Sequence, residues 1–290
     1  MTVLASGSKG NSTLVASSRT RILVDAGLSC RELLKRMQMA NEDPAALDAL
    51  LITHEHQDHV QGVAVLARKL GVPVYFTQAT HRAWMRWMMP QKRLTYAAWL
   101  ALRQQPPCVE EAPVVVEKTE DPCSLPGVEY FSAGSGFSIG DIVVTPFTIP
   151  HDAADPVGFV FEADGVRMAI ATDLGYMPPN VKMAIRNCDV LMLESNHDLE
   201  MLRDGPYPWS VKQRVMSRVG HLSNEAASDF LEKNYDGNAS YVVLAHLSES
   251  NNLPELARVT AERALRDRMS LLANKLMLAQ QDAPLEPICL

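Results

Sequence analysis

The chain has 290 residues, 34 acidic against 27 basic side chains for a net charge of −7, and 47% hydrophobic and 21% charged residues. That ordinary globular mixture excludes bulk electrostatic attraction to nucleic acid or membrane, while leaving room for a local basic groove. Five scattered cysteines (Cys30, Cys108, Cys123, Cys188 and Cys289) form no C-x-x-C pair, which argues against a disulfide framework or a thiolate zinc site. The start lacks a basic n-region and a long apolar stretch, no run is long enough to span a membrane, and a cytoplasmic protein is expected.

Thr2–Ala5 and Ser12–Ala16 read as short strands joined by the polar turn Ser6-Gly7-Ser8-Lys9-Gly10-Asn11. That turn is either scaffolding or the rim of a functional site. Arg21–Asp25 is a third strand, and Ala26-Gly27 leads into a helix through Met37. Val63–Leu70 reads as a helix stopped by Gly71, and Val72–Phe76 as a strand. Thr77 or Thr80 then caps a helix carrying His81, Arg82, Trp84, Arg86, Trp87, Met88 and Met89, with Lys92 and Arg93 beyond it. This helix either tracks a nucleic-acid backbone or, as the favoured reading, buries Trp and Met while Arg faces water.

From about Gln104 to Pro126 a Pro- and Glu-rich stretch reads as a surface excursion, with Val114–Val116 as a short strand in it. Phe137–Ile142 is a hairpin turning at Gly140-Asp141. Strands then alternate with helices as in an α/β chain, ending in a helical segment from Leu253 to Met277 and a disordered Gln280–Leu290.

The chemistry concentrates in Leu50-Leu51-Ile52-Thr53-His54-Glu55-His56-Gln57-Asp58-His59, where an apolar run ends in a cluster holding three of the eight histidines. In an extended segment His54 and His56 point the same way and can share a metal ion. Asp58 and His59 can serve a second, and two metals about 3.5–4 Å apart activate water and steady both oxygens of a displacement. Three later strands end alike: Val143–Pro150 delivers His151, Met168–Thr172 delivers Asp173 and Tyr241–Ala245 delivers His246. In α/β sheets functional groups gather beyond such carboxyl ends.

Gly220-His221-Leu222-Ser223-Asn224-Glu225 opens a helix with Ser223 as its cap. A histidine there faces an anion favoured by free amides and the helix dipole. His221 can then stabilise a phosphate or protonate a leaving oxygen, with Ser223 and Asn224 as substrate contacts. The alternative is a plain capping turn. His197, in Glu194-Ser195-Asn196-His197-Asp198, reads either as a supporting residue or as a bystander. Candidate strand guides are Arg82, Arg86, Lys212, Arg214 and Arg218, each equally readable as a solvated face.

The H-x-H-x-D-H pattern resembles the metallo-β-lactamase superfamily. The order E-S-N-H-D, G-H-L-S-N, L-A-H-L-S-E-S-N-N is similar to its nucleic-acid-processing members, ribonuclease Z and ribonuclease J among them. The opening L-A-S-G-S-K-G-N-S, with T-H-E-H-Q-D-H-V-Q-G, P-H-D-A-A-D-P-V-G-F and T-D-L-G, resembles the YycJ (WalJ) family of nucleases over most of Thr2–Asn252. The resemblance implies one domain over residues 1–290 with an αβ/βα four-layer sandwich: two central sheets, mixed to mostly antiparallel, flanked by helices. It also implies His54, His56 and His151 on one metal, Asp58, His59 and His246 on a second, and Asp173 between them. Asp58 would also orient the attacking water.

The implied cofactors are two divalent ions, zinc by default or manganese, both suited to an N/O donor set. The implied activity is 5′ exonuclease action on DNA, duplex with a 5′ end or single-stranded, with RNA as a second substrate and DNA repair or replication as the setting. The other readings are a glyoxalase II-like thioester or lactone hydrolase, and a non-enzymatic scaffold. Asp173 stands where many true β-lactamases carry cysteine, and no β-CASP insertion of some two hundred residues follows it, as one does in ribonuclease J.

Overall fold

The inner strands of each sheet are almost continuous apolar runs, because both of their faces are covered. Alternate residues therefore divide between two cores. A computed structural model describes residues 1–89, 100, 121–266 and 275–290. In it Ile22, Val24, Ala49 and Leu51 meet Phe159, Ile170, Met192 and Val243 in a core shared by two sheets. Their neighbours Leu23 and Leu50 turn outward onto Leu33, Met37 and Leu66 of one helical layer. On the other side Leu191, Leu193 and Leu244 pack onto Ala227, Phe230 and Ala261 of the second. Three apolar layers make a four-layer sandwich, helix–sheet–sheet–helix, as expected.

The first sheet runs in chain order: β1 (Thr2–Ala5), β2 (Ser12–Ala16), β3 (Arg21–Val24), β4 (Ala49–Leu51), β5 (Val74–Phe76) and β6 (Val128–Tyr130). The second contains β7 (Phe137–Ile139), β8 (Ile142–Thr148), β9 (Val157–Ala163), β10 (Val166–Ala171), β11 (Val190–Glu194), β12 (Tyr241–Ala245) and β13 (Lys275–Leu278), in the spatial order 13-12-11-10-9-8-7. Both sheets are mixed. β1–β3 pair antiparallel and β3–β6 parallel, while β7–β10 pair antiparallel and β10–β13 parallel.

The helices follow local rules. α1 (Cys30–Met39) is capped by the Ser29 side chain, which accepts from Glu32 N, and it buries Cys30, Leu33 and Met37 at helical spacing. After α2 (Gln57–Val60), α3 (Val63–Leu70) stops at Gly71, whose φ of 71° is the left-handed cap glycine supplies. α4 (Gln78–Met88) is capped by Thr77, not Thr80. It buries Trp84 completely but leaves Trp87 and Met89 exposed, so only one of its two tryptophans is core. The second face carries α5 (Pro179–Ala184), α6 (Leu199–Asp204), α7 (Trp209–Val215), α8 (Asn224–Lys233) and α9 (Pro254–Leu265). No helix among the described residues is long and apolar enough to cross a membrane.

Two expectations about the end of the chain are corrected. The segment expected to stay helical to Met277 is helical only over Pro254–Leu265, and Lys275–Leu278 returns as β13 beside β12. So short a segment, Lys275 followed by three apolar residues, has no period that separates strand from helix. The last residues are packed: Leu285 N donates to Val3 O and Ile288 N to Met1 O, and Ile288 is buried. Val114–Val116, Lys92, Arg93 and most of the expected surface excursion lie outside the described residues.

Candidate metal centre

Strands β4, β8, β10 and β12 each run into a ligand-bearing loop, and these loops meet. His54, His56 and His151 place one ring nitrogen each within 4.8 Å of one another. Asp58, His59 and His246 form a second such group, and Asp173 falls within the same distance of His54 and His59. Nδ1 of His56 lies 3.2 Å from Nε2 of His151. Asp173 spans the halves, with Oδ2 3.5 Å from His59 Nε2 and Oδ1 3.5 Å from His246 Nε2. All seven residues expected as ligands are therefore together, and six of the eight histidines line this one site.

The backbone makes this convergence at some cost. Asp173 and His246 sit at φ of 61° and 57°, and Asp25, at the end of β3, at 60°. Left-handed conformations of non-glycine residues cost about 1–3 kcal/mol each and persist where the surroundings over-determine them. Here each turns the chain sharply off a strand end. Gly27 serves a different need: a Cβ on it would stand 1.6 Å from Asp58 O. Only glycine lets the metal loop lie this close.

Supporting hydrogen bonds hold the Nδ1 atoms of His54, His59, His151 and His246 and so turn their Nε2 atoms inward. Nδ1 of His59 lies 2.8 Å from Asp25 Oδ2, and Asp25 also accepts from Thr53 N and Thr53 Oγ1. Nδ1 of His54 is 3.0 Å from Thr53 Oγ1, and His151 Nδ1 is 3.1 Å from Gly220 O. The buried Glu194 takes His221 Nδ1 at 2.8 Å and His246 Nδ1 at 3.1 Å on Oε1, while Oε2 accepts from Leu174 N and Leu222 N. Such partners orient ligands and raise their basicity. Asn11 docks the polar turn onto the loop, with Nδ2 3.1 Å from His59 Nε2 and 3.3 Å from Asp58 Oδ2. The turn is thus part of the site, one of its two readings from sequence.

The inward atoms fit a cation. His54 Nε2, His246 Nε2 and Asp173 Oδ2 are buried without a hydrogen-bond partner, and leaving such atoms unpaired costs about 1–3 kcal/mol each. Burial and the neighbouring histidines hold His54 well below the usual histidine value, so its lone pair stays free. Burial also pulls on His59, but Asp173, Asp25 and Asp58 outweigh it and raise the ring to about 9. His246 is likewise raised well above the ordinary value by Asp173, Asp58 and Glu194, against burial. Asp58 and Glu194 are lowered despite burial by the facing imidazoles. This nest of carboxylates demands positive charge, and its N/O donor set suits a divalent ion.

Several expected contacts fall elsewhere. Ser223 caps α8 by accepting from Ala226 N. Asn224 is buried, its amide oxygen held by Ser195 Oγ and its nitrogen by Asn252 Oδ1, so it has no free edge for substrate. Lys212 is not a strand guide, since its ammonium donates to Arg203 O at 2.7 Å and the residue is buried. Arg214 pairs with Asp152 beside the centre. His197 is not among the converging ligands; its Nδ1 lies 3.4 Å from Asn196 Oδ1, whose amide nitrogen is 3.2 Å from His246 Nδ1, and burial pushes the ring down to about 4. Asp25 and Glu194 were missed, although each is a carboxylate tipping an apolar strand, the signal that found Asp173.

The beta-lactamase superfamily domain matches residues 20–247. The chain is 35% identical over 258 residues to "Exodeoxyribonuclease WalJ" of Streptococcus pneumoniae, covering 89% of this chain and 85% of that protein. It is also 35% identical over 266 residues to "Exodeoxyribonuclease YycJ" of Bacillus anthracis, covering 92% and 89%. Among solved structures, the metallo-beta-lactamase fold protein YhfI from Bacillus subtilis superposes with a TM-score of 0.64 at 14% identity, covering 98% and 97% of the two chains. Human tRNase Z, short form, superposes at 0.58 and 17%, covering 99% of each chain. By the domain match and these identities, the chain belongs to the beta-lactamase superfamily and, within it, to the WalJ/YycJ family.

Proposed function

We propose that the protein is a metal-dependent exodeoxyribonuclease that hydrolyses DNA phosphodiesters from a 5′ end. The observation that carries this reading is the convergence of seven ligand side chains with His221 beside them, in a chain related to proteins named exodeoxyribonucleases. His54, His56 and His151 would hold one divalent ion, Asp58, His59 and His246 a second, with Asp173 between them. Zinc and manganese both suit these donors. When bound, the ions supply charge neutralisation at the scissile phosphate and a lowered pKa for a water at the site.

The remaining work falls to the chain's own groups. Asp58, whose Oδ2 is 3.6 Å from both His59 Nε2 and His246 Nε2, orients the attacking water. His221 holds Nδ1 on Glu194 Oε1 at 2.8 Å, and in the imidazolium form, with both ring nitrogens protonated, Nε2 gives its proton to the departing oxygen and leaves the neutral ring. Arg214, paired with Asp152 next to His151, is a basic group beside the site. The cysteines among the described residues are free thiols, which fits a cytoplasmic setting.

The test is degradation of 5′-phosphorylated duplex DNA by metal-stripped protein, with zinc or manganese restored separately. An Asp58→Ala, His59→Ala double variant controls for contaminating nuclease. Release of 5′ nucleotides that requires metal and disappears in the variant is the expected result. No cleavage of DNA or RNA with either metal, alongside thioester turnover, would overturn it.

A further inference from the structure

We propose that the open cleft of about 560 Å³ between Tyr176 and the first turn of α8 holds a nucleobase of the DNA strand, an inference that rests on the nuclease reading. Its volume lies within the range of about 300–1,000 Å³ found for small-ligand sites.

Two walls of the cleft are continuous in sequence with residues of the metal centre. Tyr176 and Met177 follow Asp173 on its loop, and Gly175 N donates to Pro150 O, next to His151. The opposite wall begins with Leu222 and Ser223, immediately after His221, and Leu222 N is tied to Glu194. A strand whose phosphate lies among Asp173, His221 and the other ligands therefore has an adjoining base within reach of the cleft.

The lining selects a base over a phosphate. Met177, Leu222 and Phe230 make it apolar, and the acidic Glu225 and Asp229 also line it, Asp229 in an ion pair with Lys233. The cation that also lines it, Lys182, donates to Asn234 Oδ1 at 2.7 Å. Carboxylates repel a phosphodiester, but they accept hydrogen bonds from the exocyclic amino groups of bases. Tyr176 supplies the aromatic surface. The Arg218 guanidinium covers one side of its ring at 4.4 Å without itself lining the cleft. The Arg218 backbone packs directly on the same loop, since a Cβ on Gly175 would stand 2.4 Å from its carbonyl carbon. A ring clamped by a cation is a pre-ordered stacking platform.

The test uses metal-loaded protein and single-stranded DNA with 2-aminopurine near its 5′ end and phosphorothioates at the terminal linkages to slow hydrolysis. Stacking on Tyr176 should quench the fluorophore. Tyr176→Ala should abolish the quench and weaken binding on the order of tenfold, while Tyr176→Phe retains both and all three proteins take up metal equally. On ordinary DNA, Tyr176→Ala should raise KM and spare kcat, and an abasic nucleotide at that position should erase the difference between it and wild type. Equal quench and equal KM for Tyr176→Ala and wild type, with wild type cleaving DNA, would overturn the cleft assignment alone. Failure of wild type to cleave any DNA would remove the nuclease reading, and the inference with it.

Discussion

Asp25 Oδ2 lies 2.8 Å from Nδ1 of His59, which leaves Nε2 as the ring nitrogen turned toward the centre. The carboxylate reaches it from a left-handed backbone position, φ 60°, where Asn is tolerated far better than Ala. Asp25→Ala should weaken metal binding about 10–100-fold, the usual effect of removing an orienting partner. It should also destabilise the protein by about 1–3 kcal/mol through the orphaned Thr53 amide. Asp25→Asn should be milder on both counts. Chelator competition and denaturant unfolding read the two effects, and equal metal affinity in all three proteins would remove the orienting role.

Glu194 gathers four donors on two oxygens: His221, His246 and the amides of Leu174 and Leu222. Glu194→Gln replaces an acceptor with an NH₂ facing further donors. The expected cost is about 3 kcal/mol or more, as for breaking a buried ion pair, and turnover should fall with it. Because its folded pKa is lowered, Glu194 contributes stability above the usual carboxylate range and loses it as pH falls. The wild-type advantage over Glu194→Gln should therefore shrink in acid, which thermal unfolding at pH 7 and pH 3 would check.

His59 and His246 shift the opposite way, and metal binding reports it. Without metal His59 titrates at about 9, against about 6.5 unfolded. A raised histidine contributes stability fully below about pH 6.5 and loses it as pH climbs through the folded value. The Tm of metal-free protein should fall between those limits, while the Tm increase on adding zinc should grow. Metal uptake at pH 7 should release protons, visible as a buffer-dependent calorimetric heat. A metal-free Tm that rises over this window would show the rings unprotonated.

The side chains that converge at the candidate centre were legible because most of them concentrate in one loop and because His151, Asp173 and His246 end apolar strands. The layered fold was legible because runs such as Val190–Leu193 and Tyr241–Ala245 bury both faces. Asp25 and Glu194 end strands too, but they stand alone in sequence, and only tertiary contact pairs them with a histidine. Asn224 and Lys212 misled for the converse reason. Polar and basic residues near a motif look solvent-facing until the network that buries them is seen. No local pattern separates β13 from a helical continuation, since its partner β12 lies some thirty residues back.

Gly27 isolates the close approach that seats the metal loop. Gly27→Ala leaves every ligand in place, but its Cβ would stand 1.6 Å from Asp58 O and 2.6 Å from Asn11 N, both rigid backbone. The loop must move, so the variant should lose at least about 1–3 kcal/mol, the ordinary cost of overpacking. It should also lose metal affinity out of proportion to the added methyl. Gly71→Ala serves as the contrast, since nothing lies within 4 Å of its Cβ and its left-handed φ adds strain alone. That variant should be destabilised with metal affinity intact. Equal metal binding by Gly27→Ala and wild type would sink the argument.

Gln281 ties the end of the chain to the same machinery. Its Oε1 accepts from Lys9 N at 2.8 Å, its Nε2 donates to Gly10 O at 3.0 Å, and its carbonyl accepts from the buried Arg36. These bonds clamp the turn that carries Asn11, and Asn11 N donates to Asp58 O at 2.7 Å. Gln281→Ala removes the two side-chain bonds, at about 0.5–1.5 kcal/mol each, and loosens the turn from the side away from the metals. Stability should fall by a total of about 1–3 kcal/mol, with a several-fold loss of metal affinity and the retained carbonyl still holding Arg36. Asn11→Ala should reproduce the affinity loss, and adding Gln281→Ala to it should cost little more, because both act through Asp58. A double-mutant cycle on metal affinity measures that coupling. Fully additive losses would show that the tail and the turn reach the metal loop independently.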